Sequence, residues 1–148
     1  MTTKEYLRQA RSLKVIIDGK TERIAQLREI AAGTTSTVSD MPKGGGEQDK
    51  LGAIVATIAD FAAEIAADTI PLVTIQRDIQ RTINKIPNQK YRDVLELYYL
   101  NGWRWDKVAE QMHYSPQHIY RLHGIALSAF EKMRVNESAK RDIMVVGK

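Results

Sequence analysis

The chain contains three histidines close together, His113, His118 and His123, and these are the first residues to consider for metal chemistry. They follow one another at intervals of five, which does not place them on one face of a helix. A zinc site would need further ligands, but the chain has no cysteine and no carboxylate lies four residues from any of the histidines. We therefore expect no metal site and interpret His123 as a surface residue.

Other kinds of reactive site are also poorly supported by the sequence. A run of three glycines at 44–46 invites comparison with loops that hold phosphate, but the residues that follow, EQDKL, lack the Gly-Lys-Ser/Thr of a P-loop. The serines have no suitable His/Asp pairing, and the carboxylates are scattered over amphipathic faces. Nothing meets the geometric outline of an active site. We expect a protein that is not an enzyme, with no cofactor and no small-molecule substrate.

The composition of the chain favours a cytoplasmic protein without a membrane segment. The 148 residues suffice for one compact domain, or for a small domain with a helical extension. The absence of cysteine fits a reducing compartment, and the N-terminus lacks the apolar core of a signal peptide. The longest uncharged apolar run, 51–59, is far shorter than the roughly 20 residues that span a bilayer.

The stretch 105–130, WDKVAEQMHYSPQHIYRLHGIALSAF, predicts a helix, a tight turn and a second helix. Its spacing fits a helix-turn-helix: a small residue where the helices cross (Ala109), a turn residue four later (His113) and a β-branched residue six after that (Ile119). Ser115-Pro116 is typical of a helix start. The expected inward residues are Val108, Ala109 and Met112 in the first helix, and Ile119, Leu122, Ala126 and Phe130 in the second.

The outward face of the second helix favours binding to double-stranded DNA. No Asp or Glu occurs from Gln111 to Phe130, so this face carries no charge that repels phosphates. The side chains of Arg121 and Gln117 match the edges of guanine and adenine, respectively. Tyr120 of this face, together with Arg104 and Lys107 near the start of the first helix, is expected to contact phosphates and set the register. The predicted DNA-binding residues are Arg104, Lys107, Ser115, Pro116, Gln117, His118, Tyr120, Arg121 and Gly124.

The rest of the chain predicts long helices that support this unit. A first helix is expected over 4–32, with a possible interruption at Asp18-Gly19, and a small, polar linker over 33–49. Apolar residues then recur every seven positions, which indicates a helix that requires a partner. Pro71 lies within this repeat and predicts a kink or split near Ile70. The repeat consists of Leu51, Ile58, Ile65, Leu72, Ile79 and Ile86.

Two arrangements satisfy the seven-residue repeat. The first helix can fold back along it as an antiparallel hairpin, or two chains can pair. We favour a hairpin that also supports a homodimer. The predicted fold is all-α: a helical hairpin or coiled coil over 1–86, a helix-turn-helix domain over 87–134 and a tail over 135–148. Within the second segment, Asn101-Gly102 predicts a helix end with glycine in a left-handed conformation.

The segment YRDVLELYYLNGWRWDKVAEQMHYSPQHIYRLHGIALSAF resembles region four of bacterial primary sigma factors. The whole chain resembles the small sigma-like proteins of phages and prophages, including late-gene regulators of the ArpU type. This resemblance implies that outward residues of the last helix read a promoter element, at positions that correspond here to Pro116, Gln117, His118, Tyr120 and Arg121. It also implies RNA polymerase as a further partner. Sigma factors place several arginines and a glutamate there, whereas this chain has one arginine and no acid, so the same promoter element is not implied.

These observations predict a sequence-specific DNA-binding transcriptional regulator of phage or prophage type, with a recognition helix over 116–130 in the major groove. Two alternatives remain open. One is a DNA-packaging adaptor that resembles a small terminase subunit, since such proteins also combine a helix-turn-helix with helical oligomerisation segments. The other is a sigma-like interaction module that binds RNA polymerase with little affinity for DNA.

Overall fold

The structure, a computed structural model, describes residues 1–38 and 45–146, and these residues are almost entirely helical. No strand occurs in these two ranges, so the prediction of an all-α fold is confirmed for them. A short π-helical segment, Glu96–Leu100, continues the third helix. The helices are α1 (Thr3–Val38), α2 (Gly45–Asn84), α3 (Gln89–Leu95), α4 (Trp105–Met112) and α5 (Pro116–Val146).

The helices are longer than the sequence pattern predicted. Of the expected linker 33–49, residues 33–38 belong to α1 and 45–49 to α2, while 39–44 lie outside the described residues. The expected tail likewise continues α5 to Val146, and residues 147–148 lie outside the described part of the chain. Helix α1 runs through Gly19 without a break.

A kink or split was expected near Ile70; helix α2 continues through Pro71, so no split occurs there. A proline removes one backbone hydrogen bond, but apolar packing on both sides can hold a helix together. Here Ile65 before the proline is half-buried and Leu72 after it is buried.

The chain forms two compact units, and their limits differ from the segments drawn from the sequence. Unit 1 comprises residues 1–14 and 72–148, and unit 2 comprises residues 15–71. The first turns of α1 and the end of α2 belong to unit 1 because their apolar side chains share one core with the C-terminal helices. The buried members of this core are Leu7, Ala10, Ile79, Ile83, Ile86, Val94, Leu95, Tyr99, Leu100, Val108, Ala109, Ile119, Leu122, Ala126 and Phe130.

Polar and aromatic contacts supplement the core of unit 1 where α1 and α2 approach α5. The ring of Tyr6 lies 6.5 Å from that of Phe130, and the guanidinium of Arg134 lies 4.0 Å from the centre of the Tyr6 ring. On α2, Thr82 donates a 3.3 Å hydrogen bond to Glu137. These contacts join α1 and α2 to α5 within unit 1.

Unit 2 contains α1 from Val15 onward and α2 as far as Pro71, and the two helices are joined by charged contacts. Lys20 Nζ lies 3.3 Å from carboxylate oxygens of both Glu64 and Asp68. The guanidinium of Arg23 lies 5.9 Å from the centre of the Phe61 ring. The apolar repeat of α2 is only half-buried in this unit, at Leu51, Ile58 and Ile65.

Within the described ranges, no helix combines the length and the apolar character that crossing a membrane requires.

Candidate nucleic-acid interface

The turn between α4 and α5 has the conformation that its sequence predicted. His113 ends α4 with φ 60° and ψ 41°, and it is the only non-glycine residue with positive φ in the described part of the chain. Histidine is among the residue types that tolerate this left-handed conformation. The N–H of Tyr114 then donates to the carbonyl of Ala109, which closes the end of α4. The turn fixes the direction in which the next helix begins.

Ser115 caps the start of α5, as predicted. Its Oγ accepts a 3.2 Å hydrogen bond from the N–H of His118, and its carbonyl accepts one from the N–H of Ile119. Pro116 is the first residue of the helix, where its missing N–H costs no hydrogen bond. The Ser115 hydroxyl oxygen therefore helps to position α5.

The side of α5 that packs against the core is the one that the sequence predicted. Ile119, Leu122, Ala126 and Phe130 are all buried, at positions three or four residues apart. This packing leaves the opposite side of the first turns of α5 exposed to solvent. Every predicted DNA-binding residue is exposed: Arg104, Lys107, Ser115, Pro116, Gln117, His118, Tyr120, Arg121 and Gly124.

The exposed residues of α5 form a continuous surface. Gln117, Arg121 and Gly124 follow at helical spacing, and Tyr120 lies beside them. An added Cβ at Gly124 would meet no atom within 4 Å, so the backbone there is open to an approaching partner. The ring of Tyr120 lies 5.8 Å from that of Trp105, which connects this surface to the start of α4.

The two cations near the start of α4 make local contacts. Lys107 Nζ lies 4.0 Å from the centre of the Trp103 ring, a cation–π contact. Arg104 Nε lies 4.0 Å from a carboxylate oxygen of Asp106, and both side chains are largely exposed. Such an exposed pair is weak and can exchange for a phosphate.

His118 lies at the other border of the α5 surface, next to a second basic residue. Its ring stacks on that of Tyr114, with centres 4.2 Å apart. Lys90, at the start of α3, has its ammonium 5.7 Å from the centre of the Tyr114 ring, and a hydrogen bond with Tyr114 raises the pKa of this lysine. The sequence pattern did not single out Lys90, because α3 is separated from α5 along the chain.

The interpretation of His123 as a surface residue is wrong. Its side chain is buried, and its Nε2 lies 2.7 Å from the hydroxyl of Tyr99. Burial, together with the nearby charges of Lys4 and Arg8, lowers the pKa of His123 to about 4. Burial also raises the pKa of Tyr99 to about 12, so at neutral pH the hydrogen bond joins an uncharged tyrosine and an uncharged imidazole. His123 therefore belongs to the support of α5 and not to its exposed surface.

A family model described as "Protein of unknown function (DUF1492)" matches residues 31–131. The chain belongs to the DUF1492 family. The matched range contains α3 and α4, the buried stripe of α5 and all nine predicted DNA-binding residues. The match carries no sigma-factor or ArpU-type assignment. No curated protein and no solved structure matches the chain.

One basic residue close to the DUF1492-matched helices lies outside the matched range and was missed from the sequence. Arg11, on α1, donates a 3.3 Å hydrogen bond to the carbonyl of Trp103, and its guanidinium lies 4.2 Å from the centre of the Tyr98 ring. The available signal was the apolar pair Leu7 and Ala10 next to basic residues at helical spacing. That signal identifies a buried face of α1 but not the helices that cover it.

No group of three or more His, Asp or Glu side chains in the described ranges is close enough to hold a metal ion.

Proposed function

We propose that this DUF1492 protein is a sequence-specific DNA-binding transcriptional regulator, in which α4, the turn at His113 and α5 act as a helix-turn-helix. The observation that carries this proposal is the exposed, acid-free surface of the first turns of α5. A helix held by a buried stripe on one side and exposing polar residues on the other fits the width of the major groove of DNA. The left-handed turn and the Ser115 cap support this interpretation.

The exposed side chains suggest how such a surface would read DNA. Arg121 has the donor pattern that matches O6 and N7 of guanine, and Gln117 can both donate to and accept from adenine. Arg104 and Lys107 near the start of α4 are suited to the phosphates on one side of the groove. Tyr120, whose ring is supported by Trp105, is placed to contact the backbone beside them.

The proposed regulator is of phage or prophage type and contains a helical hairpin that also supports a homodimer. A phage or prophage regulator is suggested by the resemblance of the sequence to sigma region four and to ArpU-type proteins. The contacts of Lys20 and Arg23 with residues of α2 are ordered as in an antiparallel hairpin, and so they support that arrangement of α1 and α2. A homodimer would allow two half-sites to be read by two copies of α5.

Selection of bound duplexes from a random pool, followed by substitution on α5, tests the proposed function. The wild-type protein should enrich a defined sequence, and Arg121→Ala should lose about 1–3 kcal/mol of binding at one base pair. Because Arg121 is exposed, the melting temperature should hardly change. Arg77→Ala, which removes an exposed arginine from α2, is the matched control and should bind the selected duplex normally.

Three results would count against the proposal. Failure to bind or enrich any duplex would exclude sequence-specific recognition and favour a module that binds RNA polymerase. Unchanged binding by both Arg121→Ala and Gln117→Ala would remove α5 from the reading surface. A large ring in solution that binds duplexes without sequence preference would instead indicate a packaging adaptor.

A further inference from the structure

The first turns of α1 carry a basic flank, defined here as Lys4, Arg8 and Arg11, which recur at helical spacing. Leu7 and Ala10 are completely buried in the core of unit 1, so the orientation of this part of α1 is fixed. Lys4 and Arg8 are exposed, and neither forms an ion pair with another residue in the described ranges. The flank therefore presents positive charge that the protein itself does not neutralise.

The nearest acid on these turns, Glu5, is engaged at the end of the helix. The N–H of Thr2 donates to its carboxylate at 2.9 Å, and the N–H of Glu5 donates to the hydroxyl of Thr2 at 3.1 Å. This reciprocal pair is a capping box, which holds the carboxylate close to the N-terminus of α1. Glu5 consequently stabilises the helix without pairing with Lys4 or Arg8.

Contacts within unit 1 place the basic flank next to the proposed reading surface. The guanidinium of Arg11 packs on Tyr98, and the ring of Tyr98 stacks on that of Trp105 with centres 3.8 Å apart. Trp105 in turn lies beside Tyr120 of α5. Lys4 and Arg8 precede Arg11 by seven and three residues on the same helix, and their charges contribute to the lowered pKa of His123 on α5.

We propose that Lys4 and Arg8 bind phosphates of the same DNA duplex that α5 reads, so that α1 forms a second backbone contact beside the helix-turn-helix. This inference rests on the proposed function. Exposed cations on a rigid helix, unpaired and adjacent to the groove-reading surface, are suited to the sequence-independent part of DNA binding. The contact would add affinity and fix the orientation of the protein, while base recognition would remain with α5.

The test is the double substitution Lys4→Gln/Arg8→Gln in the full-length chain, measured on the selected duplex and on a random duplex. Both affinities should fall by a similar factor, roughly tenfold at low salt, and preference for the selected sequence should remain. Two lost phosphate contacts should reduce the slope of log affinity against log salt by about 1.8. Circular dichroism and the melting temperature should be unchanged, because both side chains are exposed.

The control Lys50→Gln/Arg77→Gln removes two exposed cations from α2 and the same net charge. If this control loses as much affinity as the double substitution on α1, the effect reflects net charge and the proposed contact is wrong. Wild-type affinity and salt slope after Lys4→Gln/Arg8→Gln, with Arg121→Ala still impaired, would overturn the α1 contact while leaving the proposed function intact. A changed sequence preference would also contradict a contact with phosphates alone. If the unsubstituted protein binds no duplex, the proposed function fails and this inference fails with it.

Discussion

The same seven-residue repeat runs through both units of the protein but is buried to different extents. In unit 1, Leu72, Ile79 and Ile86 are 7%, 0% and 1% exposed. In unit 2, the equivalent positions of the repeat are only half-buried, while Val55 and Ile70 on α2 are largely exposed. Unit 1 surrounds its part of α2 with several helices, whereas the described residues of unit 2 belong to α1 and α2. The comparison shows that periodicity defines an apolar face, but the number of neighbouring helices determines how completely that face is buried.

The largest expected effect is the loss of stability when a side chain of the repeat is truncated, and this loss should differ between equivalent positions of the two units. Ile79→Ala removes a fully buried side chain and should lower the free energy of unfolding by about 2–5 kcal/mol. Ile58→Ala removes a half-buried one and should cost roughly half as much, because less apolar area leaves water on folding. Denaturant unfolding of the two variants measures this difference. An equal cost would show that Ile58 is more deeply buried in solution than in the single chain, and sedimentation would then test for pairing of two chains.

A smaller effect is a pH dependence of the stability of unit 1, which unit 2 should not share. All three histidines belong to unit 1, and His123 alone is buried. The pKa of His123 is about 4 in the folded protein and about 6.5 when unfolded, so the unfolded state binds more protons between these values. The contribution of His123 to the free energy of unfolding should therefore be fully present above pH 6.5. It should be lost as the pH is lowered from 6.5 to 4, which reduces the stability by at most about 3 kcal/mol.

Unfolding measured across this pH range in His123→Gln provides the check. Glutamine can still accept the Tyr99 hydrogen bond but does not titrate, so this pH dependence should disappear. His118→Gln changes an exposed histidine and serves as the control, with the wild-type slope expected. A slope that persists in His123→Gln would mean that other groups cause the pH dependence.

The smallest expected effect is the gain in stability on replacing a helical glycine by alanine, and it should be the same in both units. Gly19 lies in unit 2 and Gly124 in unit 1, both within helices, and an added Cβ at either position meets no atom within 4 Å. Substitution by alanine should stabilise each unit by about 1 kcal/mol, because alanine has the higher helix propensity and neither position is packed. Thermal unfolding of the two variants measures the gain. Destabilisation at either position would reveal a contact there that the single chain does not contain.

Local features of the proposed DNA-binding surface could be predicted from the sequence, because they depend on residues close together in the chain. The left-handed turn at His113, the cap at Ser115 and the buried stripe from Ile119 to Phe130 all follow from short-range geometry. The same spacing predicted the exposed side of α5 through Arg121. Helical periodicity and capping operate over a few residues, so a sequence contains the information that they require.

The interpretation of longer-range features was incomplete or wrong for a physical reason. His123 was expected on the surface because its own helix gives no sign of Tyr99, which buries it from another part of the chain. Pro71 was expected to kink or split α2, and the helix is not split there; the local cost of proline was weighed without the packing on either side. The helices also extend into much of the segment 33–49 that was expected to be a linker.

The sequence by itself therefore determined that the protein is helical, that a turn lies between α4 and α5, and which side of α5 is apolar. Only the tertiary structure decided that the first turns of α1 pack with the C-terminal helices, through Leu7 and Ala10, and thereby bring Arg11 against Tyr98. A helical pattern states that a face must be covered, because exposed apolar surface is unfavourable in water. It does not state which distant element covers that face, since this depends on the combined fit of all helices in the core.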